Sequence, residues 1–323
     1  MWCAARHCAF ESHPLRHTKT RMQTAYGFYF YKKERALIKW TEPAYAKINL
    51  TLDILGRLEN GYHSLSTVMQ SVSLCDQVTM TREQEGGILV DCGGKAPSGP
   101  DNIVWKAARV FFDFCGIPES EQHVRFLVEK NIPSQAGMGG GSSDGAAALR
   151  LLNRAYETGL SAETLRQLGS RVGADVPFCI TGGTLEAAGF GEILTPAPAM
   201  PDCGLLLCKP PIGVSTPEAF RQSDRTPAVP PKTPDMLAAL HSGELNRIAA
   251  CLNNRFEDIL QLPEIEEIIA RMKANGALNA IMTGSGSTVF GLYTTEEEAR
   301  KAASSLAGLG EIFVAVPVSA VAL

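Results

Sequence analysis

The 323 residues are 45% hydrophobic, enough to fill one large core or two ordinary ones, and two domains are expected. The net charge of −4 leaves no global basic excess to displace counterions from a nucleic-acid backbone, so no nucleic-acid partner is expected, and a phosphorylated ligand must meet a local positive site. No apolar run reaches the roughly 20 residues that span a bilayer, so no membrane partner is expected; nine cysteines scattered singly, none in a CxxC pair, point to buried thiols in a reducing compartment.

The first forty residues differ from the rest. They hold eight Lys and Arg and three of the six His, against only Glu11 and Glu34. Without an apolar h-region this is no secretory signal. A disordered tail, an organelle transit peptide or a translation start placed too far upstream would each fit. The composition is not Ser-rich as transit peptides are, so residues 1–39 are expected to be a disordered or mis-started tail and the protein to be cytoplasmic, with plastid import as the alternative.

Folded sequence is expected from about Trp40. Lys47–Ile54 alternates, with Ile48, Leu50, Leu52 and Ile54 on one side and Lys47, Asn49, Thr51 and Asp53 on the other, which predicts a strand with one buried and one polar face. Asn60-Gly61 predicts a hairpin turn. Strands follow at Leu65–Leu74 and Gln77–Arg82, a helix at Asp101–Phe114 with Ile103, Val104, Ala107, Ala108 and Phe111 on one stripe, and a strand at His123–Glu129. After a glycine-rich stretch comes a helix from about Ser142 to Tyr156, then another marked by Leu165, Leu168 and Val172 that Gly173 closes. Phe178–Ala187 reads as a strand. Between Pro196 and Pro234 the chain is dense in proline, which places a domain boundary near Pro196–Pro201 and a long loop at Ser223–Pro234. Beyond it, helices at Pro234–His241, Leu245–Leu252 and Glu264–Asn275 alternate with strands at Ala280–Met282, Ser287–Tyr293 and Ile312–Pro317, so both domains are expected to be α+β.

The glycine-rich stretch is Pro133-Ser134-Gln135-Ala136-Gly137-Met138-Gly139-Gly140-Gly141-Ser142-Ser143, set between a strand and a helix. A helix start leaves amides without partners and carries about half a positive charge. Glycines let the backbone approach an anion closely and adopt positive φ. Together these predict a phosphate cradle, with Ser142 and Ser143 able to cap the helix, donate to phosphate oxygens or ligate Mg²⁺. It is not a Walker A loop, which needs a Lys after the last Gly, nor a dinucleotide fingerprint, whose third Gly is replaced by Ser142. A flexible linker is the plain alternative.

Phosphoryl transfer asks for positioning, charge neutralisation and an acceptor for the alcohol proton. Gly173-Ala174-Asp175-Val176-Pro177 offers the acceptor in Asp175; a turn Asp can equally cap its own backbone. Lys47 reads either as a solvated edge charge or as a cation at the transfer site, where it would favour an ionised carboxylate and alcohol.

Pro-x-x-x-Gly-x-Gly-Gly-Gly-Ser-Ser before an Ala-rich helix resembles the second motif of the GHMP kinases, whose loop wraps the ATP triphosphate. Its Gly-Gly-Gly-Ser-Ser form is similar to the diphosphocytidyl-methylerythritol branch. Asp144 follows the serines; whether it faces away or helps hold Mg²⁺ is left open. Pro43-Ala44-Tyr45-Ala46-Lys47-Ile48-Asn49-Leu50 resembles the first motif and puts the family's catalytic Lys on Lys47, beside Asn49, while Gly-Ala-Asp-Val-Pro puts its catalytic Asp on Asp175. Asn60-Gly61-Tyr62-His63 resembles the segment that stacks on and pairs with a cytosine, and Thr216-Pro217-Glu218-Ala219-Phe220 the segment with the second aromatic, so Tyr62 and Phe220 would sandwich the base. Ala280-Ile281-Met282-Thr283-Gly284-Ser285-Gly286-Ser287-Thr288 resembles the third GHMP motif. Asn102 and Lys130 are placed as further ATP contacts.

The resemblance covers about Thr41 to Leu323 and implies a two-domain GHMP-kinase fold. Residues 40–198 would form an ATP-binding domain similar to the second domain of ribosomal protein S5, and residues 199–323 a ferredoxin-like domain. It implies ATP and Mg²⁺ as cofactors, a small-molecule cytidyl substrate, a monomer or weak homodimer, and phosphorylation of the 2-hydroxyl of a diphosphocytidyl-methylerythritol in non-mevalonate isoprenoid synthesis. The alternatives are a homoserine- or mevalonate-type GHMP kinase, which needs no base clamp, and a non-catalytic nucleotide-binding module, which needs neither Lys47 nor Asp175.

Overall fold

The alternating stretch folds as the middle of a 19-residue strand, β1 (Lys39–Arg57), in a computed structural model that describes residues 38–59 and 61–321. The expected tail, 1–39, lies outside the described residues except for its last two, and Asn60 of the expected turn lies outside them as well. Ile48, Leu50 and Leu52 face the core as their spacing predicts. The opposite face departs from expectation: Lys47, Asn49, Thr51 and Asp53 are also buried, each 4% exposed or less. Buried polar groups need partners, and these have them. The Thr51 and Thr233 hydroxyls lie 2.8 Å apart, and one Asp53 oxygen accepts from the amides of Lys232 and Thr233 at 2.9 Å.

The two strands expected next are one, β2 (His63–Arg82), antiparallel to β1 along its length, with irregularities between Tyr45 and Lys47 and between Asn49 and Thr51. Bulges re-aim side chains; these two bracket Lys47 and Asn49, and a third lies between Ile54 and Gly56. The chain continues through β3 (Ile88–Asp91), α1 (Ile103–Cys115), β4 (Val124–Glu129), α2 (Gly140–Ala155) and α3 (Ala162–Ser170). Then the reading of Phe178–Ala187 as a strand fails: Val176–Thr181 is a short helix, α4, and only Thr184–Gly189 is a strand, β5. Every residue from Val176 to Ile180 is buried, so the alternation of Val176, Phe178 and Ile180 carried no strand signal. The strand β6 (Ile193–Pro196) follows. Among the described residues the first sheet has seven strands. β2 is its spine, pairing β1 on one side and both β4 and β5 on the other; β3 lies parallel to β4.

The proline-dense region also hides regular structure. It contains β7 (Gly204–Lys209), six buried residues, and α5 (Thr216–Ser223), whose Pro217 falls in the first turn, where the ring is tolerated. After the expected loop come α6 (Thr233–Ser242), α7 (Leu245–Cys251), β8 (Asn253–Asn254, parallel to β1), α8 (Arg255–Leu260) and α9 (Pro263–Ala274). The chain closes with β9 (Asn279–Met282), β10 (Val289–Tyr293), α10 (Glu296–Ala302) and β11 (Glu311–Ala315). The second sheet is antiparallel in the order β11-β7-β10-β9.

Helices α1 and α2 pack on the first sheet through Val104, Phe111, Ala147 and Leu151. Helices α9 and α10 pack on the second through Ile268, Met272 and Ala299. A third core joins them: Ala46, Ile48 and Leu50 of β1 pack in one cluster with Leu205, Leu207, Phe290 and Leu292 of the second sheet. The segment after β11 returns to the first sheet, where Pro317 bridges Val72 and Ala320 bridges Gly182. The seven described cysteines are free thiols, and burial pushes Cys179 and Cys203 up to about 12. Among the described residues no helix is long and apolar enough to cross a membrane.

Candidate active site

The glycine-rich loop leaves β4 and enters α2 with a regular backbone alternation. Gln135, Gly137 and Gly139 have φ of 52°, 73° and 69°, while Ala136 and Met138 between them do not have positive φ. Such alternation turns successive amides to one side, a concave nest for an anion. The carbonyls go the other way: Met138 O accepts from the Lys47 amide at 3.0 Å and Ala136 O from the Thr288 amide at 3.3 Å. Among the described residues no amide from Ser134 to Ser142 donates to a protein acceptor. The positive end of the 16-residue α2 adds to the same potential.

Two cavities open on this loop. One, of about 410 Å³, is lined by the loop with Lys95, Asn102, Ile103 and Lys130. The other, of about 830 Å³, is lined by Lys47, Asn49, Asp175, Phe190, Phe220 and Gly284–Gly286 among others. They share Gln135, Gly137, Gly139 and Ser142, so the loop forms the seam between them.

Lys47 and Asp175 face each other on the larger side of the seam, Nζ to Oδ2 at 3.6 Å. Lys47 is buried and donates to Asn49 Oδ1 at 2.7 Å. Asn49 donates to Thr67 at 2.9 Å, and its amide donates to the Thr283 hydroxyl at 2.9 Å. Asp175 stands at the N-cap of α4, yet its side chain caps nothing and stays 37% exposed in the cavity. The backbone-capping alternative for this residue therefore does not hold. Gly139 is needed for the approach: a Cβ there would lie 3.1 Å from Lys47 Cγ.

The second glycine-rich loop closes the far wall. A Cβ on Gly137 would fall 2.4 Å from the Thr283 carbonyl and 3.1 Å from that of Gly286, so the two loops touch backbone to backbone. Thr216 joins them, its hydroxyl 2.7 Å from that of Ser285, with Pro217 beside it on the cavity wall.

Several expected residues sit otherwise. Ser143 lines neither cavity; its hydroxyl donates to Tyr45 O at 2.5 Å, because one helical step past Ser142 turns it onto β1. Ala136 and Met138 bury their side chains in the shared core, which leaves only their backbone for a ligand. Asn102 caps α1, accepting from Val104 N at 2.7 Å and donating to Pro97 O at 2.7 Å, so it shapes the smaller cavity by holding its rim. Asn102→Ala is expected to cost about 1–2 kcal/mol of stability, read as a lowered denaturant midpoint. Lys130 is ion-paired with Asp76 and, at 2.6 Å, with Asp144, so its ammonium is already matched by two carboxylates. Burial pulls Lys130 down, but the two carboxylates more than reverse this and hold it above its ordinary range. Asp144 is buried behind the loop with Oδ1 lacking a partner; burial pushes its carboxyl up to about 7, Lys130 opposes the rise and Asp76 adds to it.

Of the two residues expected to sandwich the base, Phe220 lines the larger cavity and Tyr62 does not. His63 stacks on Phe220 at 4.5 Å and 18°, its Nε2 2.7 Å from Asp224 Oδ1. Tyr62 packs instead on Phe190 at 5.3 Å. Phe220 and Phe190 line the larger cavity, whereas Tyr62 and His63 do not. Sequence reasoning missed Thr67, Phe190, Asp76 and the clasp of Thr283 on Asn49. Polar and aromatic residues far apart in the chain carry no local pattern that would have marked them.

The chain matches the family model of the GHMP kinases N terminal domain over residues 102–183 and that of the GHMP kinases C terminal over residues 236–311. It is 42% identical over 272 residues to the 4-diphosphocytidyl-2-C-methyl-D-erythritol kinase of Moorella thermoacetica, which covers 82% of this chain and 94% of that protein. It is 44% identical over 268 residues to the protein of the same name from Desulfitobacterium hafniense, covering 81% and 89%. It superposes on a crystal structure of 4-(cytidine 5'-diphospho)-2C-methyl-D-erythritol kinase with a TM-score of 0.73 and 34% identity, over 86% of this chain and 99% of that one.

Proposed function

This chain belongs to the GHMP kinase family, and on that premise we propose that it transfers the terminal phosphoryl group of ATP to the 2-hydroxyl of 4-diphosphocytidyl-2-C-methyl-D-erythritol, a step of non-mevalonate isoprenoid synthesis. It is an ATP-dependent small-molecule kinase. The observation that carries the proposed site is the seam: a row of unpaired amides between two cavities, with an ammonium and a carboxylate on the acceptor side.

ATP would lie in the smaller cavity with its phosphates in the nest of Gln135–Ser142. The cytidyl acceptor would fill the larger one, its base near Tyr62, His63, Thr216, Pro217 and Phe220, with Asn49 beneath the hydroxyl that reacts. The base site supports this reading as aromatic surface, since Phe220 and Phe190 face the cavity; stacking contributes roughly 1–3 kcal/mol per base. Asp175 aligns the hydroxyl and takes its proton as the new O–P bond forms and the bond from the terminal phosphorus to the ADP oxygen breaks. Lys47 offsets the charge spreading over the transferred group.

Mg²⁺ fits this site as a passenger of the nucleotide. An ion of this kind is held chiefly by phosphates and water, with few protein ligands. Ser142, on the seam, would supply a hard oxygen ligand. When bound, the ion would neutralise phosphate charge. The same reading keeps residues 40–198 as the ATP-binding domain and 199–323 as the C-terminal one, in a cytoplasmic monomer or weak homodimer.

A coupled ADP-release assay comparing the cytidyl acceptor with homoserine and mevalonate tests the proposal. Turnover of the cytidyl acceptor alone, inhibited competitively by CMP, supports it. Turnover of homoserine or mevalonate in preference overturns it.

A further inference from the structure

Four residues line both cavities, and two of them are glycines. Ser142 and Gln135 therefore supply the side chains at the seam. Ser142 belongs to the start of a helix. Gln135 stands alone in the loop, with a left-handed backbone that glycine adopts freely and other residues adopt with strain. The nest requires that backbone; it does not require a carboxamide.

Gln135 lines both cavities, and its carboxamide oxygen lies beside Gly213 on the acceptor side. A Cβ on Gly213, which lines the acceptor cavity, would lie 3.1 Å from Gln135 Oε1. That wall is held firmly. Lys209 Nζ donates to Pro210 O at 2.7 Å and to Ile212 O at 2.8 Å, and the Ser287 hydroxyl donates to Ile212 O at 2.5 Å. Gln135 is exposed and, among the described residues, its carboxamide has no protein hydrogen-bond partner, so it is free to meet a ligand at the seam that the residue lines. A neutral group with two N–H donors orients an anionic oxygen without adding charge to a site that already holds Lys47.

We infer that Gln135 contacts the phosphoryl group in transit, donating from Nε2 to one of its oxygens while the other end of the carboxamide rests against Gly213. This rests on the kinase reading above. The contact lies at the terminal phosphate, so it separates ATP from ADP and acts on alignment more than on holding the nucleotide.

The test uses the full chain and two variants, Gln135→Gly and Gln135→Glu. Gln135→Gly keeps the left-handed backbone available, so its Tm should stay within about 3 °C of the unmodified chain. Its kcat should fall by about 10- to 100-fold with both KM values within about threefold, as for loss of an oriented donor. Gln135→Glu should weaken calorimetric binding of a non-hydrolysable ATP analogue by about tenfold or more and that of ADP by about twofold or less, because like charges meet only at the terminal phosphate. Unchanged kcat in Gln135→Gly, together with an unchanged analogue-to-ADP affinity ratio in Gln135→Glu, overturns the inference and makes Gln135 a spacer. If the unmodified chain binds nucleotide but phosphorylates none of the three alcohols, the kinase reading fails, and the affinity ratio still decides the role of Gln135.

Discussion

Replacing Asp175 with Asn should lower kcat about 10³-fold while leaving nucleotide affinity and Tm nearly unchanged. A proton acceptor of this kind contributes about 10²–10⁴-fold, and Asn keeps the shape while losing the charge and the basic oxygen. The structural cost should be small, because the Asp175 side chain caps no helix and its ion pair with Lys47 is 3.6 Å long and open to solvent on one side. The checks are kcat from coupled ADP release, nucleotide affinity from calorimetry and a thermal melt. Turnover kept within tenfold would remove Asp175 from the chemistry. A large fall in Tm would assign it to the fold. The same change should leave any non-catalytic nucleotide-binding role intact, so the experiment also separates kinase from binding module.

Gly137→Ala is expected to damage both stability and turnover. The added Cβ would fall 2.4 Å from the Thr283 carbonyl, with the Gly286 backbone at 3.1 and 3.2 Å, and the backbone at Gly137 is left-handed as well. None of these neighbours is a flexible side chain, so the two glycine-rich loops must part. The expected result is a loss of about 2–3 kcal/mol in stability, and a fall of about 100-fold or more in kcat/KM as the seam opens. Gly141→Ala, four residues on, is the control for stability: its Cβ would meet Ile103 Cγ2 at 3.6 Å, an ordinary contact, within a helix. Denaturant midpoints of the two variants measure the contrast, and kcat/KM of Gly137→Ala reads the opening of the seam. Equal behaviour would mean that the loops do not depend on touching.

What could be read in the chain before any coordinates were known was chemistry tied to local spacing. Glycines between a strand and a helix announce an anion site because backbone geometry demands it, and the unpaired amides of Ser134 to Ser142 lie in that stretch. Lys47 and Asp175, 128 positions apart, each carried two readings, and only the meeting of their side chains across the cavity chose between them. Where tertiary burial decides, the reading failed. The face of β1 with Lys47 and Asn49 looked solvated because its residues are polar; it is buried because Thr67, Thr233 and Thr283 satisfy it from elsewhere. Proline density masked β7 and α5, since proline punctuates a chain without forbidding a strand between two such marks or a helix that begins with one. The base clamp came from the family resemblance, and of its aromatic residues Phe220 lines the cavity while Tyr62 and His63 do not.

The cluster that holds Ala46, Ile48 and Leu50 together with Leu205, Leu207, Phe290 and Leu292 has a thermodynamic consequence. Neither half owns those apolar groups, so cutting the chain near residue 198 would bare a greasy seam on each fragment. Heating the intact protein should accordingly give one calorimetric peak whose van't Hoff and measured enthalpies agree, the mark of cooperative melting. Two separated peaks would mean that the halves keep independent interiors. Geometry at the reaction centre would then have to be maintained by loop contacts alone.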